Sequence, residues 1–138
     1  MTRPSAGDVW RYPYLWKWQQ LGGETEGRKD RPVAVVITLR DANAASHVIL
    51  LALTTQPPGK DRLCISVPRA EKRLAGLDSD RPVWLMLDEY NHDILEISPR
   101  FDPSARIGRF SDRFVQHLAA RFAAALREGA ARRIGRED

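Results

Sequence analysis

The sequence predicts a mainly β fold, a small and strongly curved antiparallel β-barrel with one helix at its C-terminal end. Three observations support this prediction. Short β-branched and apolar runs recur along most of the chain, turns rich in proline and glycine separate them, and one long amphipathic pattern comes last. Strands first, short turns throughout and one helix last are typical of a meandering sheet covered by a helix.

The length of 138 residues predicts a single domain over residues 1–138, with frayed tails at 1–6 and 130–138. No apolar run approaches the ~18 residues of a membrane span, and no signal peptide opens the chain, so we expect no membrane partner. The single cysteine, Cys64, cannot form an internal disulfide, which favours a cytoplasmic protein. The net charge of +4 raises the odds of a polyanionic partner. Much of it lies between Arg127 and Arg136, where it can serve solubility alone.

Aromatic side chains occupy every second position of the first predicted strand. They are Trp10, Tyr12, Tyr14, Trp16 and Trp18. A period of two places these rings on one face of an extended segment, and Pro13 indicates an edge strand. The rings would either stack on unpaired bases or roof one end of a barrel or a dimer seam, and we favour the roof. Trp16 and Trp18 are the rings expected to contact a ligand.

A loop rich in glycine and charge follows at residues 21–30, and Arg31–Pro32 then leads into the strand Val33–Leu39. That strand is apolar on both faces, which indicates a central, buried position. A second apolar strand, Val48–Leu53, ends at the polar residues Thr54–Gln56. The remaining predicted elements are strands at 63–67, 83–87 and 94–97, a helix or turn at 70–77, and a turn at 91–93.

The last element is an amphipathic helix. Ser111 is a good N-cap, and apolar residues then recur at three- and four-residue steps. They are Phe114, Val115, Leu118, Phe122 and Leu126. Gly129 is expected to end this helix, which covers an open side of the sheet.

We expect the chemistry of this protein at the ends of the two apolar strands. The guanidinium of Arg31 has a planar fork of donors that suits a phosphate or a carboxylate. If the strands pair, this fork and the polar groups of Thr54–Gln56 would face one patch and hold an oxyanion. The alternative is that Arg31 pairs with Asp30 or Glu24 and that the threonines only end a strand.

No pattern in the sequence predicts a metal or another cofactor. The histidines are scattered, at His47, His92 and His117, and Cys64 lies within a strand, so no metal-ligand spacing is present. Asp88 and Glu89 are adjacent, and adjacent residues of a strand point to opposite faces. This excludes a two-metal site built on that pair.

The segments Gly7–Trp10, Arg31–Val36 and Thr54–Gln56, in this order, resemble the PemK/MazF-type toxins of type II toxin–antitoxin systems. The strand from Trp84 to Asn91, the lead-in at 107–111 and the terminal helix fit the same pattern. The resemblance covers most of the chain. Its most specific part is Arg-Pro before an apolar strand, followed by Thr-x-Gln.

The resemblance implies an SH3-like barrel, a homodimer and a metal-independent endoribonuclease that cleaves single-stranded RNA and is neutralised by a cognate antitoxin. It implies that Arg31 and Thr54 form the catalytic pair. Residues expected to bind substrate are Thr55, Gln56, Trp16, Trp18, Arg28, Lys29, Glu89 and Asn91.

The general acid and base stay unassigned, because an arginine with a pKa above ~12 is a poor proton donor. Glu89 and His92 are weaker candidates for these roles. Two other functions stay open. One is a non-catalytic toxin of the same barrel type that poisons a protein target such as gyrase. The other is a non-catalytic SH3-like module that binds RNA or a peptide.

Overall fold

The computed structural model describes residues 3–24 and 29–134 of the chain. Within those ranges, the strands are β1 (Asp8–Tyr12), β2 (Arg31–Arg40), β3 (Ser46–Thr54), β4 (Cys64–Ser66), β5 (Trp84–Met86), β6 (Glu89–Ile94), β7 (Arg106–Arg109) and β8 (Arg132–Arg133). The helices are α1 (Lys17–Leu21), α2 (Arg69–Leu74) and α3 (Asp112–Arg127). None of the helices in these two ranges has the length and apolar character needed to cross a bilayer.

Strand β3 organises the sheet because it pairs with three other strands. It runs antiparallel to β2 on one side, and on the other side to β6 along its first half and to β5 at its end. The main path of the sheet is β4-β5-β3-β2-β1-β7, and β8 adds to β6 in the parallel direction. The predicted mainly β fold with a C-terminal helix is confirmed. Among the described strands, however, the two end strands of this path, β4 and β7, do not pair with each other. The sheet is therefore open, and the predicted closure into a barrel is not observed.

The alternation of side chains along β2 divides the core into two clusters. Val33 and Val35 point into a cluster with Trp10, Tyr12, Tyr14 and Trp16, whereas Ala34 and Val36 point into the other. The second cluster is covered by the apolar face of α3, with Phe114, Leu118 and Phe122 buried. The predicted N-cap is confirmed, since the Phe114 amide donates to Ser111 Oγ at 3.2 Å.

The aromatic segment does not form one long strand. β1 ends at Tyr12, just before Pro13, which has no amide hydrogen for a ladder. Tyr14 and Trp16 still pack beside the rings of β1, but Trp18 belongs to α1 and is 54% exposed. The period of two therefore holds for the buried rings and fails at Trp18.

Strand β6 corrects two predictions, because it covers the expected turn at 91–93 and ends where a strand at 94–97 was expected. The residues of β6 that point inward are Glu89, Asn91 and Asp93, all buried. Each accepts hydrogen bonds inside the fold, from donors that include Tyr14 Oη, the Leu15 amide and Tyr12 Oη. Because the inward residues of β6 are polar, a search for apolar patterns does not recognise it as a strand.

The tails also differ from the prediction of frayed ends. Beyond Gly129, which adopts a φ of 72°, the chain turns back and forms β8, and Ile134 is buried. At the other end, the Arg3 guanidinium donates to Ser46 Oγ and to Glu96. Residues 130–134 and the segment that begins at Arg3 thus make contacts within the fold, whereas residues 1–2 and 135–138 of the predicted tails lie outside the described residues.

Gly108→Ala should destabilise the protein, because a Cβ at this position would lie 2.5 Å from the backbone carbonyl carbon of Ala75. We expect the free energy of unfolding to fall by about 1–3 kcal/mol, the usual cost of overpacking. Gly59→Ala is the matched control, since its Cβ would meet only Arg62 Cγ at 4.0 Å. It should change stability by less than about 0.5 kcal/mol. Urea unfolding of both variants measures this difference, and equal stabilities would contradict the tight contact.

Candidate functional site

The ends of β2 and β3 bring Arg31 and Thr54 together. Val33 pairs with Ala52 in the ladder, so two residues further along Arg31 lies level with Thr54. Both side chains are half-buried and both belong to the walls of the same two clefts. The structure therefore places the guanidinium and the hydroxyl together at the solvent-reachable ends of β2 and β3.

The larger of these clefts, the arginine cleft, has a volume of about 310 Å³. Its polar and aromatic lining is Trp16, Trp18, Arg31, Thr54, Gln56 and Arg62. A smaller cleft of about 230 Å³ lies on the other side of Arg31 and is lined in part by Arg11, Thr55 and Leu77. Of the residues expected to bind substrate, Trp16, Trp18 and Gln56 thus border the arginine cleft and Thr55 borders its neighbour.

The Arg31 guanidinium lies over the indole of Trp16, with 5.5 Å from its carbon to the ring centroid. Such a cation–π contact orients the guanidinium without using its N–H donors. In residues 3–24 and 29–134, no carboxylate forms an ion pair with Arg31, so the alternative pairing with Asp30 or Glu24 is not observed. The donors of Arg31 remain available to a ligand.

A backbone amide contacts the hydroxyl oxygen of Thr54. This oxygen accepts a hydrogen bond from the Gln56 amide at 3.0 Å. This contact, between a threonine hydroxyl and the amide two residues later, is an ST-turn. Because this contact uses only a lone pair of the oxygen, the hydroxyl proton is left for another partner. Thr54 can therefore donate a hydrogen bond into the cleft that it shares with Arg31.

Arg62 is a cleft residue that the sequence analysis missed. Its Nε and Nη2 atoms donate to the two oxygens of Asp88 at 2.7 and 2.9 Å, and Nη2 also donates to Glu89 at 3.1 Å. The hydrogen bond to Asp88 raises the pKa of Arg62 further. Nothing in its local sequence signals this role, since Arg62 follows a proline- and glycine-rich turn and its partners lie 26 and 27 positions away.

Glu89 is an anchor below the cleft surface. It is 2% exposed, and its Oε1 accepts hydrogen bonds from Tyr14 Oη and from the Lys17 amide, both at 3.2 Å. Burial raises the pKa of Glu89, and burial beside this carboxyl raises the pKa of Tyr14 well above its usual value. Glu89 is absent from the walls of the arginine cleft, and it borders a third cleft on the other side of Arg62.

Other predicted site residues lie elsewhere. Asn91 is fully buried, and its amide bonds to the backbone of Leu15 and Ile134, so a direct contact with substrate is not supported. His92 pairs with His47 at 2.8 Å and lies opposite Ile49. From Ile49 to Thr54 the strand advances about 17 Å, so His92 is not placed to transfer a proton at Arg31.

Two predicted basic contacts, Arg28 and Lys29, come shortly before β2 in the sequence. Lys29 is exposed and precedes Arg31 by two positions, whereas Arg28 lies outside the described residues. In the part of the chain that the structure describes, no three His, Cys, Asp or Glu side chains are grouped to hold a metal ion. Neither a protein-family model nor a curated protein sequence matches this chain. The side chains of the site therefore carry the functional inference.

Glu89→Gln should change how stability depends on pH. Because the native pKa of Glu89 lies above the unfolded value near 4.3, the native state binds more protons. The contribution of this carboxyl is full below about pH 4.3 and is lost as pH rises through the native pKa. The stability of Glu89→Gln relative to the native chain should thus increase between about pH 4 and pH 7.

Urea unfolding at several pH values measures this trend. Glu128→Gln, which removes an exposed carboxylate after α3, is the matched control for the loss of one carboxylate. If the free energy of unfolding of the native chain instead increased relative to that of Glu89→Gln as pH rises, the raised pKa would be contradicted.

Proposed function

We propose that the arginine cleft binds single-stranded RNA and that Arg31 and Thr54 promote cleavage of its backbone without a metal ion. The observation that carries this proposal is the convergence of two free donors on one cleft. Arg31 has no ion pair within the described ranges, and the Thr54 oxygen already accepts from Gln56. Donors that are oriented but unused are the arrangement that stabilises a developing oxyanion.

The reaction needs few groups from the protein. The ribose 2′-oxygen attacks the adjacent phosphorus, the bond to the 5′-oxygen breaks, and the products are a 2′,3′-cyclic phosphate and a 5′-hydroxyl. The proton of the 2′-hydroxyl is lost and the 5′-oxygen gains one. Arg31 would bind the non-bridging oxygens as their charge grows, and Thr54 would donate a hydrogen bond to the same phosphate. A single donor of this kind is worth about 2.7–4 kcal/mol in the transition state.

Single-stranded RNA fits the cleft better than a duplex does. Trp18 is exposed on the cleft wall, and an unpaired base can stack on an exposed ring. Trp16 is 7% exposed and supports the Arg31 guanidinium from below. Of these two rings, Trp18 is thus the stacking platform and Trp16 is a positioning residue.

The proposal extends to the setting that PemK/MazF-type toxins imply. It includes an SH3-like barrel, a homodimer, a cytoplasmic location and a cognate antitoxin. The net charge of +4 suits an antitoxin with an acidic segment, because such a segment would compete with RNA for Arg31. RNA and antitoxin would then exclude each other from the cleft.

Removing either donor should slow cleavage of single-stranded RNA in the presence of EDTA. We expect Arg31→Ala to lower the rate about 100-fold or more, because a donor to the transition state is lost. Thr54→Ala should lower it about 10- to 100-fold, the value of a hydrogen bond to a charged group. Gel analysis of labelled RNA with 5′-hydroxyl detection measures the rates.

The controls are Arg40→Ala and Thr38→Ala, which remove the same side chains from the exposed far end of β2. Both should cleave at the native rate, and urea unfolding should show all four variants folded. RNA binding without cleavage by the native chain would contradict the nuclease and favour a non-catalytic binding module. Absence of both activities would favour a toxin that acts on a protein.

A further inference from the structure

A third cleft, the tail cleft, adjoins the arginine cleft. It has a volume of about 450 Å³, and it shares Trp18 and Arg62 with the arginine cleft. One wall comes from α1, through Lys17 and Leu21, and the other from the C-terminal segment, through Gly129, Ala130 and Arg132. The two clefts therefore form neighbouring compartments on either side of Trp18 and Arg62.

Two cations of the tail cleft are available to a ligand. Lys17 and Arg132 are exposed, and within residues 3–24 and 29–134 neither side chain forms an ion pair. The acidic residues Asp88 and Glu89 border the same cleft, but both pair with Arg62. The third carboxylate, Asp61, is exposed, so solvent screens its charge.

The backbone holds both cations close to one short stretch of chain. The Lys17 amide donates to Glu89 Oε1 at 3.2 Å, and the Arg132 amide donates to the Asp88 carbonyl at 3.1 Å. In the parallel pair of β6 and β8, Arg132 lies opposite Glu89. Lys17 and Arg132 are thus anchored around the same two residues, although they lie far apart in the sequence.

We propose that the tail cleft is a second phosphate subsite for the RNA strand that occupies the arginine cleft. The inference rests on the proposed function and names a longer substrate for it. Phosphates and bases alternate along a single strand, and cationic and aromatic side chains alternate in the same order along this surface. Arg31 takes one phosphate, the exposed ring of Trp18 takes a base, and Lys17 with Arg132 takes a neighbouring phosphate. Arg62, whose donors are used by carboxylates, forms the divide between the compartments.

Salt dependence of binding tests this subsite without relying on cleavage. The probe is a labelled six-nucleotide RNA with 2′-O-methyl groups, which cannot react through its 2′-oxygens, and anisotropy gives the Kd at several salt concentrations. For a single strand, each phosphate contact contributes about 0.7 to the slope of log K against log salt. Because Lys17 and Arg132 bind the same phosphate, the double variant Lys17→Ala/Arg132→Ala should reduce the magnitude of the slope by about 0.7, and each single variant should reduce it by a smaller amount. Arg127→Ala, an exposed cation at the end of α3, should leave the slope unchanged.

The outcomes separate this inference from the proposed function. A native slope in the double variant, with binding and cleavage of unmodified RNA intact, would overturn the tail cleft subsite alone. Reduced slopes without any cleavage would support the subsite and overturn the nuclease. A native chain that does not bind the six-nucleotide probe would overturn both.

Discussion

The site depends on one buried carboxylate. Glu89 receives hydrogen bonds from Tyr14 and from the Lys17 amide, which follow β1, and from Arg62, which lies in the loop before β4. Burial of this charge is unfavourable by itself and is offset because both oxygens have donors. The bonds fix the start of α1 and the position of Arg62. They consequently determine where Trp18 stands between the two clefts.

The two arginines of the arginine cleft have different roles because their partners differ. Arg62 gives its fork to Asp88 and Glu89, so a phosphate could bind it only by displacing a charged hydrogen bond. Arg31 instead lies over the Trp16 ring, which orients its guanidinium, and within residues 3–24 and 29–134 it forms no ion pair. The cleft therefore combines one structural cation with one available cation. An aromatic support achieves this where a carboxylate would neutralise the charge.

How much the sequence predicts depends on whether a pattern is local. The apolar runs of β2 and β3, and the spacing after Ser111, are local and predict these elements correctly. Strand β6 is not predicted, because its inward residues are polar and their hydrogen-bond donors lie on distant segments. The roles of Arg62 and Arg132 are not predicted for a similar reason, since their placement depends on long-range contacts. Strand β8 has only two residues, so no periodicity can reveal it.

The precision of the site comes from the core and not from the loops. Along residues 33–35 of β2, the register with residues 50–52 of β3 is unbroken, and the irregularity of the ladder lies beyond Val35. A slip of one residue would exchange the faces of every side chain on β2, and Val33 and Val35 would leave their buried cluster. The same slip would turn Arg31 away from Thr54. The apolar packing that stabilises the sheet thus also excludes the registers in which the two donors do not meet.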